Sequence, residues 1–262
     1  MKEFDKYEYY AKSVQSPEAD AEFLERLYKE INPGKSFQHM REDFCAAFAL
    51  CCSWTKLNDS YIATGIDLDP EPVQYGMANY FSQLNEEQKK RVTILETNVL
   101  SDELPQADII AALNFSYFGF KQRSLLLDYF KACRASLKDD GILVLDCFGG
   151  PDCMEPNEQE TEHDDFSYFW DQDSFHPLTH EAMFYIHIKR NGEEKREKVF
   201  TYDWRLWSIP EICDLLDEAG FASHHIYWEG TDEEGDGNGV FDKTTEGELC
   251  ESYVAYIVGC KS

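Results

Sequence analysis

Residues 17–31 place Ala21, Phe23, Leu24, Leu27, Tyr28 and Ile31 at helical spacing, opened by Pro17 and closed by Pro33-Gly34. From there, short apolar, β-prone runs alternate with helical segments. Strands are predicted near 37–43, 61–67, 91–96, 107–113 and 141–148, with helices over 46–56, 71–84 and 121–137 between them. The helix over 46–56 is small and apolar throughout, which predicts burial. The run Gly-Ile-Leu-Val-Leu-Asp-Cys-Phe at 141–148 reads as a parallel strand covered on both faces. Strand–helix alternation of this kind predicts a doubly wound parallel sheet with right-handed crossovers.

After Gly149-Gly150-Pro151 the pattern changes. Residues 151–165 are acidic and polar and read as a mobile loop. Residues 181–190 partly alternate, Asn191-Gly192 is a strong hairpin signal, and 197–205 supply the returning strand. A helix over 210–219 stops at Gly220. Strands follow at 221–228 and 252–259, and the Gly-, Asp- and Glu-rich stretch 230–247 between them reads as an exposed hairpin loop. The expected fold is α/β: a Rossmann-like, doubly wound, seven-stranded sheet, mostly parallel, with an antiparallel β insertion.

Composition narrows the partners. A formal charge of -27 repels phosphate backbones and anionic membranes, so neither nucleic acid nor a membrane is expected as a partner. No run approaches the roughly 20 apolar residues of a membrane span, and Met1–Tyr10 holds no apolar signal core. The nine cysteines include no Cys-x-x-Cys pair, and many sit in apolar runs, as reduced thiols of a cytoplasmic protein would. Glu162-His163-Asp164-Asp165 has metal-ligand residue types but no spaced second cluster, so it reads as solvated loop and no metal is expected.

The chemistry concentrates where the second predicted strand, Ile62-Ala-Thr-Gly-Ile, ends in Asp67. A carboxylate at this point of a nucleoside-binding α/β domain accepts hydrogen bonds from ribose hydroxyls. About 20 residues upstream, the first strand runs into Arg41-Glu42-Asp43-Phe44-Cys45-Ala46-Ala47-Phe48, close to the spacing of a nucleoside fingerprint.

With these blocks the whole chain resembles a class I S-adenosylmethionine-dependent methyltransferase. Residues 40–48 stand where that family has its glycine-rich first motif, and Gly65-Ile66-Asp67-Leu68-Asp69-Pro70 where it has its second. Glu96-Thr97-Asn98-Val99-Leu100, Ala112–Tyr117 and Leu137–Gly141 match the later blocks in order. The chain is most similar to an uncharacterised subgroup marked by Arg-Glu-Asp-Phe-Cys (41–45) and Tyr-Asp-Trp-Arg-Leu-Trp (202–207). It departs from the family in the first loop, where Phe44, Ala46 and Phe48 replace glycines that permit positive φ. A dinucleotide pyrophosphate needs those glycines, whereas S-adenosylmethionine carries no phosphate.

The resemblance implies one methyltransferase domain: a helical cap (1–35), a cofactor-binding core (36–148), an antiparallel lid (149–205) and the rest of the sheet (206–262). It implies S-adenosylmethionine as cofactor, S-adenosyl-L-homocysteine as product, and a small-molecule methyl acceptor. Glu42 would lie near the cofactor's ammonium tail, and Cys45 and Ala46 would line its methionine part. Asp67 and Leu68 would lie at the ribose, and Asn98 and Val99 at the adenine. Asn114 and Phe115 would sit below the sulfonium, with Tyr7 and Tyr10 folding over it. Trp204 and Arg205 are expected at the substrate, with Arg205 as a bidentate carboxylate ligand and Trp204, Trp207, Phe166, Tyr168, Phe169 and Trp170 in an aromatic lid. Tyr117, His176 or His180 would act as base where the acceptor needs one. Two rivals stay open: a non-catalytic nucleoside-binding protein with a degenerate first motif, and a nicotinamide-dependent oxidoreductase.

Overall fold

The computed structural model describes residues 3–232 and 237–262. Two helices come first, α1 (Lys6–Val14) and α2 (Pro17–Ile31). Asp5 caps α1 by accepting from the Tyr7 and Glu8 amides at 3.0 and 3.3 Å. The alternating part then runs β1 (His39–Asp43), α3 (Ala49–Leu57), β2 (Ile62–Asp67), α4 (Pro70–Asn79), α5 (Glu86–Lys89), β3 (Val92–Glu96), β4 (Ala107–Ala112), α6 (Arg123–Ser136) and β5 (Leu137–Gly149). Four antiparallel strands follow, β6 (Asn157–Glu162), β7 (Phe166–His176), β8 (Glu181–Arg190) and β9 (Arg196–Arg205). The chain ends with α7 (Ile209–Ala219), β10 (Ser223–Thr231), β11 (Gly237–Thr244) and β12 (Tyr253–Cys260).

The main sheet has eight strands in the order β11-β10-β12-β5-β4-β1-β2-β3. Neighbours from β5 to β3 are parallel, and β12, β10 and β11 add antiparallel pairs at the other edge. Every residue of β4 is buried, as both-faces-covered strands require. One core lies under α6 and α7; the other lies under α2 and α3 and includes the fully buried Trp54.

Two expectations need correction. Residues 151–165 hold a short 3-10 turn (Pro151–Met154) and the edge strand β6, whose pairing with β7 is carried by backbone hydrogen bonds while its side chains are mostly solvated. The stretch 230–247 contributes β11, an eighth strand beyond the expected seven; its residues 233–236 lie outside the described residues. Both strands lack apolar alternation, so the pattern gave no signal for them. The antiparallel insertion is a separate four-stranded sheet, β6-β7-β8-β9, and its Phe166, Tyr168, Ile186 and Ile188 pack with Tyr9 of α1.

The chain leaves β1 toward β2 and β3, then returns to the other side of β1 through β4. That reversal opens a crevice beyond the carboxyl ends of β1 and β4, the place where open α/β sheets bind ligands. Asp43, Asp67 and Ala112 end the strands around it.

Candidate functional site

The loop from β1 to α3 takes glycine-like conformations without glycine. Phe44, Ala46 and Phe48 have φ of 60°, 44° and 46°. Left-handed backbone costs a residue with a Cβ about 1–2 kcal/mol. Burying a phenylalanine contributes about 1.5–3 kcal/mol, and Phe48 is fully buried while the Phe44 ring packs on Phe120 and Tyr129 at 5.8 and 5.6 Å. Hydrogen bonds fix the rest: Cys45 N–H donates to Ile66 O at 3.0 Å and Phe48 N–H to Cys45 O at 2.6 Å. The two rings thus anchor the bend in the cores on either side of the sheet. Two glycines make room for it. A Cβ on Gly65 would lie 2.7 Å from Cys45 Sγ, and one on Gly76 would lie 2.2 Å from Ala47 O.

Asp67, at the end of β2, reaches this loop. One carboxylate oxygen accepts from Ala46 N–H at 2.7 Å and the other from Asp69 N–H at 2.8 Å. A carboxylate offers about four lone-pair positions, so further donors can be accommodated. Glu42 accepts from Cys51 N–H at 3.1 Å, in the first turn of α3. Burial pushes its carboxyl up to about 8, against the Cys51 hydrogen bonds and with help from the negative charges of Asp20 and Asp67.

The turn after β4 is held by a residue that sequence reading passed over. Asp146 lies in β5, and its two oxygens accept from Asn114 N–H at 2.6 Å and Phe115 N–H at 2.8 Å. Asn114 and Phe115 both have positive φ, 56° and 57°. Burial raises the Asp146 carboxyl to about 7, opposed by those backbone donors. The available signal was the single acidic residue inside the otherwise apolar run 141–148.

These two groups set a pH dependence. Both carboxyls are raised above their unfolded values, so each binds its proton more tightly in the native state. Their contribution is full below the unfolded values of 4.5 and 3.8 and is lost as pH rises through about 8 and 7. The ligand-free protein is therefore expected to lose stability from pH 5 to pH 8, and Glu42→Gln to flatten the part that extends to pH 8. Urea titrations across that range check this; equal slopes for wild type and variant would contradict it.

Two cavities meet at this crevice. The first, of about 300 Å³, is lined by Glu42, Cys45, Ala46, Asp67, Tyr7 and Tyr75, among others. The second, of about 450 Å³, lies between the main sheet and the small sheet and is lined by Phe115, Phe148, Tyr168, Trp170, Trp204 and Tyr253, among others. Tyr10, Asn114 and Tyr202 line both. The Tyr10 and Tyr202 hydroxyls hydrogen-bond to each other, and burial pushes Tyr10 up to about 12. α1 closes over the first cavity: Tyr7 Oη donates to Glu71 at 3.0 Å, Lys6 pairs with Glu71 at 2.6 Å, and the Tyr7 and Tyr75 rings lie 4.8 Å apart.

The structure gathers Tyr10, Glu42, Cys45, Ala46, Asp67, Asn114, Phe115 and Trp204 at these cavities and leaves other expected residues outside. Arg205 is a correction. Strand alternation turns Trp204 to the cavity and Arg205 to the opposite face, where it bonds Glu211 at 3.2 Å and Lys121 O at 3.3 Å and lies 3.7 Å over the Trp207 ring. Tyr117 is fully buried in the core, its hydroxyl donating to Asp146 O at 2.7 Å, so it reaches no substrate. His176 is exposed at the end of β7, and neither it nor His180 lines either of these two cavities. Asn98 spends its side-chain oxygen on Leu100 N–H at 2.9 Å, Val99 is buried in the core, and Leu68 is exposed at the rim. Phe169 turns away from the chamber toward Lys195, whereas Tyr168 and Trp170 line it. Sequence reading missed Tyr75, Tyr80, Ser116 and Phe200 in the first cavity, since nothing in their spacing marks them.

A further acidic group, Glu158, Asp171 and His187, lies on the small sheet. His187 Nδ1 accepts from Lys198 N–H at 2.8 Å, so Nε2 carries the proton of the neutral ring, 3.0 Å from Asp171. Lys195 pairs with Glu158 at 2.5 Å. The group is internally satisfied.

No family model and no curated protein matches the chain. Solved structures do. An S-adenosylmethionine-dependent methyltransferase from Clostridium acetobutylicum superposes with a TM-score of 0.70 at 15% identity, covering 97% of this chain and 99% of that one. CalS10, an amino pentose methyltransferase from Micromonospora echinaspora, gives 0.68 at 12% identity over 100% and 99% of the two chains. The sugar N-methyltransferase KedS8 from Streptoalloteichus gives 0.63 at 15% over 99% and 94%. This chain has the methyltransferase fold. At such identities the likeness establishes the fold and no more. Among the described residues no helix is long and apolar enough to cross a membrane.

Proposed function

We propose that this protein binds S-adenosylmethionine in the 300 Å³ cavity and transfers its methyl group to a small molecule in the adjoining 450 Å³ chamber. The observation that carries this is the carboxylate of Asp67 at the end of β2, hydrogen-bonded to the Ala46 amide beside an intact left-handed bend. Bound S-adenosylmethionine supplies an already activated methyl group on a positive sulfonium, so the protein's task is placement and exclusion of water. Asp67 and Asp69 give the cleft a negative lining suited to that cation, and the one lysine among its described lining residues, Lys6, is paired with Glu71. The same lining disfavours the pyrophosphate of a nicotinamide cofactor. Asn114, Tyr10 and Tyr202 flank the junction where donor and acceptor meet, and the small sheet with α1 covers it. Residues 1–35, 36–148, 149–205 and 206–262 work here as cap, cofactor core, lid and remaining sheet of one methyltransferase unit.

The neighbours that act on amino pentoses and sugars support a small acceptor, as do chambers of this size. The non-catalytic rival rested on the missing glycines, and the backbone adopts the glycine-like conformation regardless. Asp67→Ala is expected to weaken S-adenosylhomocysteine binding by about 5- to 150-fold, the range for losing a charge-assisted hydrogen bond. Unchanged affinity by calorimetry would remove the ribose role and the reading with it.

A further inference from the structure

We infer that the 450 Å³ chamber recognises an organic ammonium ion, so that the methyl acceptor is an amine; this rests on the methyltransferase reading above. Three observations converge. First, no Lys, Arg or His lines the chamber among the described residues, while Asp152 and Glu229 do. A carboxylate-bearing or phosphorylated substrate would find two like charges and no cation, whereas a protonated amine finds two counter-charges. Second, the walls are aromatic. Trp204, Trp170, Tyr202, Tyr168, Phe148 and Phe115 line it, with Tyr202 and Trp204 ring centres 4.5 Å apart, Trp170 and Trp204 6.3 Å apart, and Phe115 and Trp204 6.3 Å apart. Several π-faces around one space attract an alkylammonium by cation–π interaction, and more strongly where water is excluded. Third, among the described residues no histidine and no readily ionised tyrosine lines the chamber to deprotonate a hydroxyl acceptor, for which a carboxylate is a weak base. Tyr117 and His176 lie elsewhere, and burial holds Tyr10 at about 12 and Tyr202 well above its ordinary value. An amine needs less help. It loses one proton to water or to a lining carboxylate, and its nitrogen lone pair then forms the new N–C bond. The C–S bond breaks with its electron pair kept by sulfur, and the nitrogen takes the positive charge.

Asn157, Gln159 and Gln172 add neutral donors and acceptors around the same space, suited to hydroxyls on the amine's carbon skeleton. Two of the amide nitrogens are committed, Gln172 donating to Cys153 O and Glu155 O at 2.8 and 2.7 Å and Asn157 to Asp152 O and Glu155 O at 3.0 Å each, which leaves their oxygens and Gln159. The class indicated is a polyhydroxylated or otherwise polar amine of modest size.

The test compares choline with its uncharged carbon isostere 3,3-dimethylbutanol and the anion 3,3-dimethylbutanoate, titrated into the full-length protein by calorimetry with S-adenosylhomocysteine present. Choline cannot be methylated further, so the readout is binding alone. Choline is expected to bind at least tenfold more tightly than either comparison, and Asp152→Asn/Glu229→Gln to reduce that preference to within threefold. Trp170→Leu, at a half-buried wall position, is expected to weaken choline more than the isostere. Equal binding of the three probes, tighter binding of the anion, or no binding of choline overturns the inference. S-adenosylhomocysteine is titrated first. If it fails to bind while choline is preferred, the cofactor reading fails and the ammonium site stands. If it binds and choline is not preferred, the cofactor reading stands and the ammonium site fails.

Discussion

Replacing Asp43 by alanine is expected to cost about 3–5 kcal/mol of stability, the usual loss when one partner of a buried ion pair is removed. Arg41 and Asp43 are both fully buried on β1. Arg41 Nε and Nη2 donate to the two Asp43 oxygens at 2.8 and 3.0 Å, a bidentate pair. Tyr129 Oη donates to Asp43 at 2.9 Å, and Arg41 Nη1 donates to Ser136 Oγ at 2.8 Å. Without Asp43 the guanidinium stays in the core with its charge uncompensated. Removing both charges is a smaller perturbation: Arg41→Met/Asp43→Leu is expected to recover much of the loss, because filling the space with apolar groups avoids the desolvation cost. Urea unfolding of the single and double variants measures both. An Asp43→Ala loss below about 1 kcal/mol, the scale of an exposed pair, would contradict the account.

Gly76→Ala is expected to be the more damaging change for binding. Helix propensity alone argues that alanine in α4 should stabilise by about 1 kcal/mol. Packing argues the reverse, since the new Cβ would lie 2.2 Å from Ala47 O and 2.5 Å from Phe48 Cε1. A backbone carbonyl cannot swing aside as a side-chain tip can, so α4 or the 44–48 loop must move. Overpacking of this kind costs about 1–3 kcal/mol, which exceeds the propensity gain. The displaced loop carries Cys45 and Ala46 of the cleft, so S-adenosylhomocysteine affinity is expected to fall at least tenfold along with the melting temperature. A Gly76→Ala variant that melts higher and binds normally would show that the loop does not depend on this close approach.

The parts legible in the sequence were those written by burial. The helix Pro17–Ile31 was bounded to the residue by its apolar stripe and terminal prolines, and the strands of the parallel core fell within a few residues of their predicted places. β6 and β11 were illegible because edge strands with solvated side chains carry no apolar period. The predicted helix start at Ala46 moved to Ala49 because Ala46 and Phe48 take left-handed backbone, which their identities gave no reason to expect. At the site, Asp67 was marked by its place at a strand end and Glu42 only through the family resemblance, and both line the first cavity. Arg205 and Tyr117 were not, because residue type does not say which way a side chain points. Asp43, grouped in the sequence with Glu42, lies on the other face of β1, one step of strand alternation away.

The most direct measurement is a crystal structure of the protein with S-adenosylhomocysteine. It is expected to show the nucleoside between α1 and the 44–48 loop, both ribose hydroxyls donating to Asp67, and the sulfur facing the junction of Tyr10, Asn114 and Tyr202. A nucleoside bound elsewhere, or a crevice that stays closed at saturating ligand, would contradict the central claim.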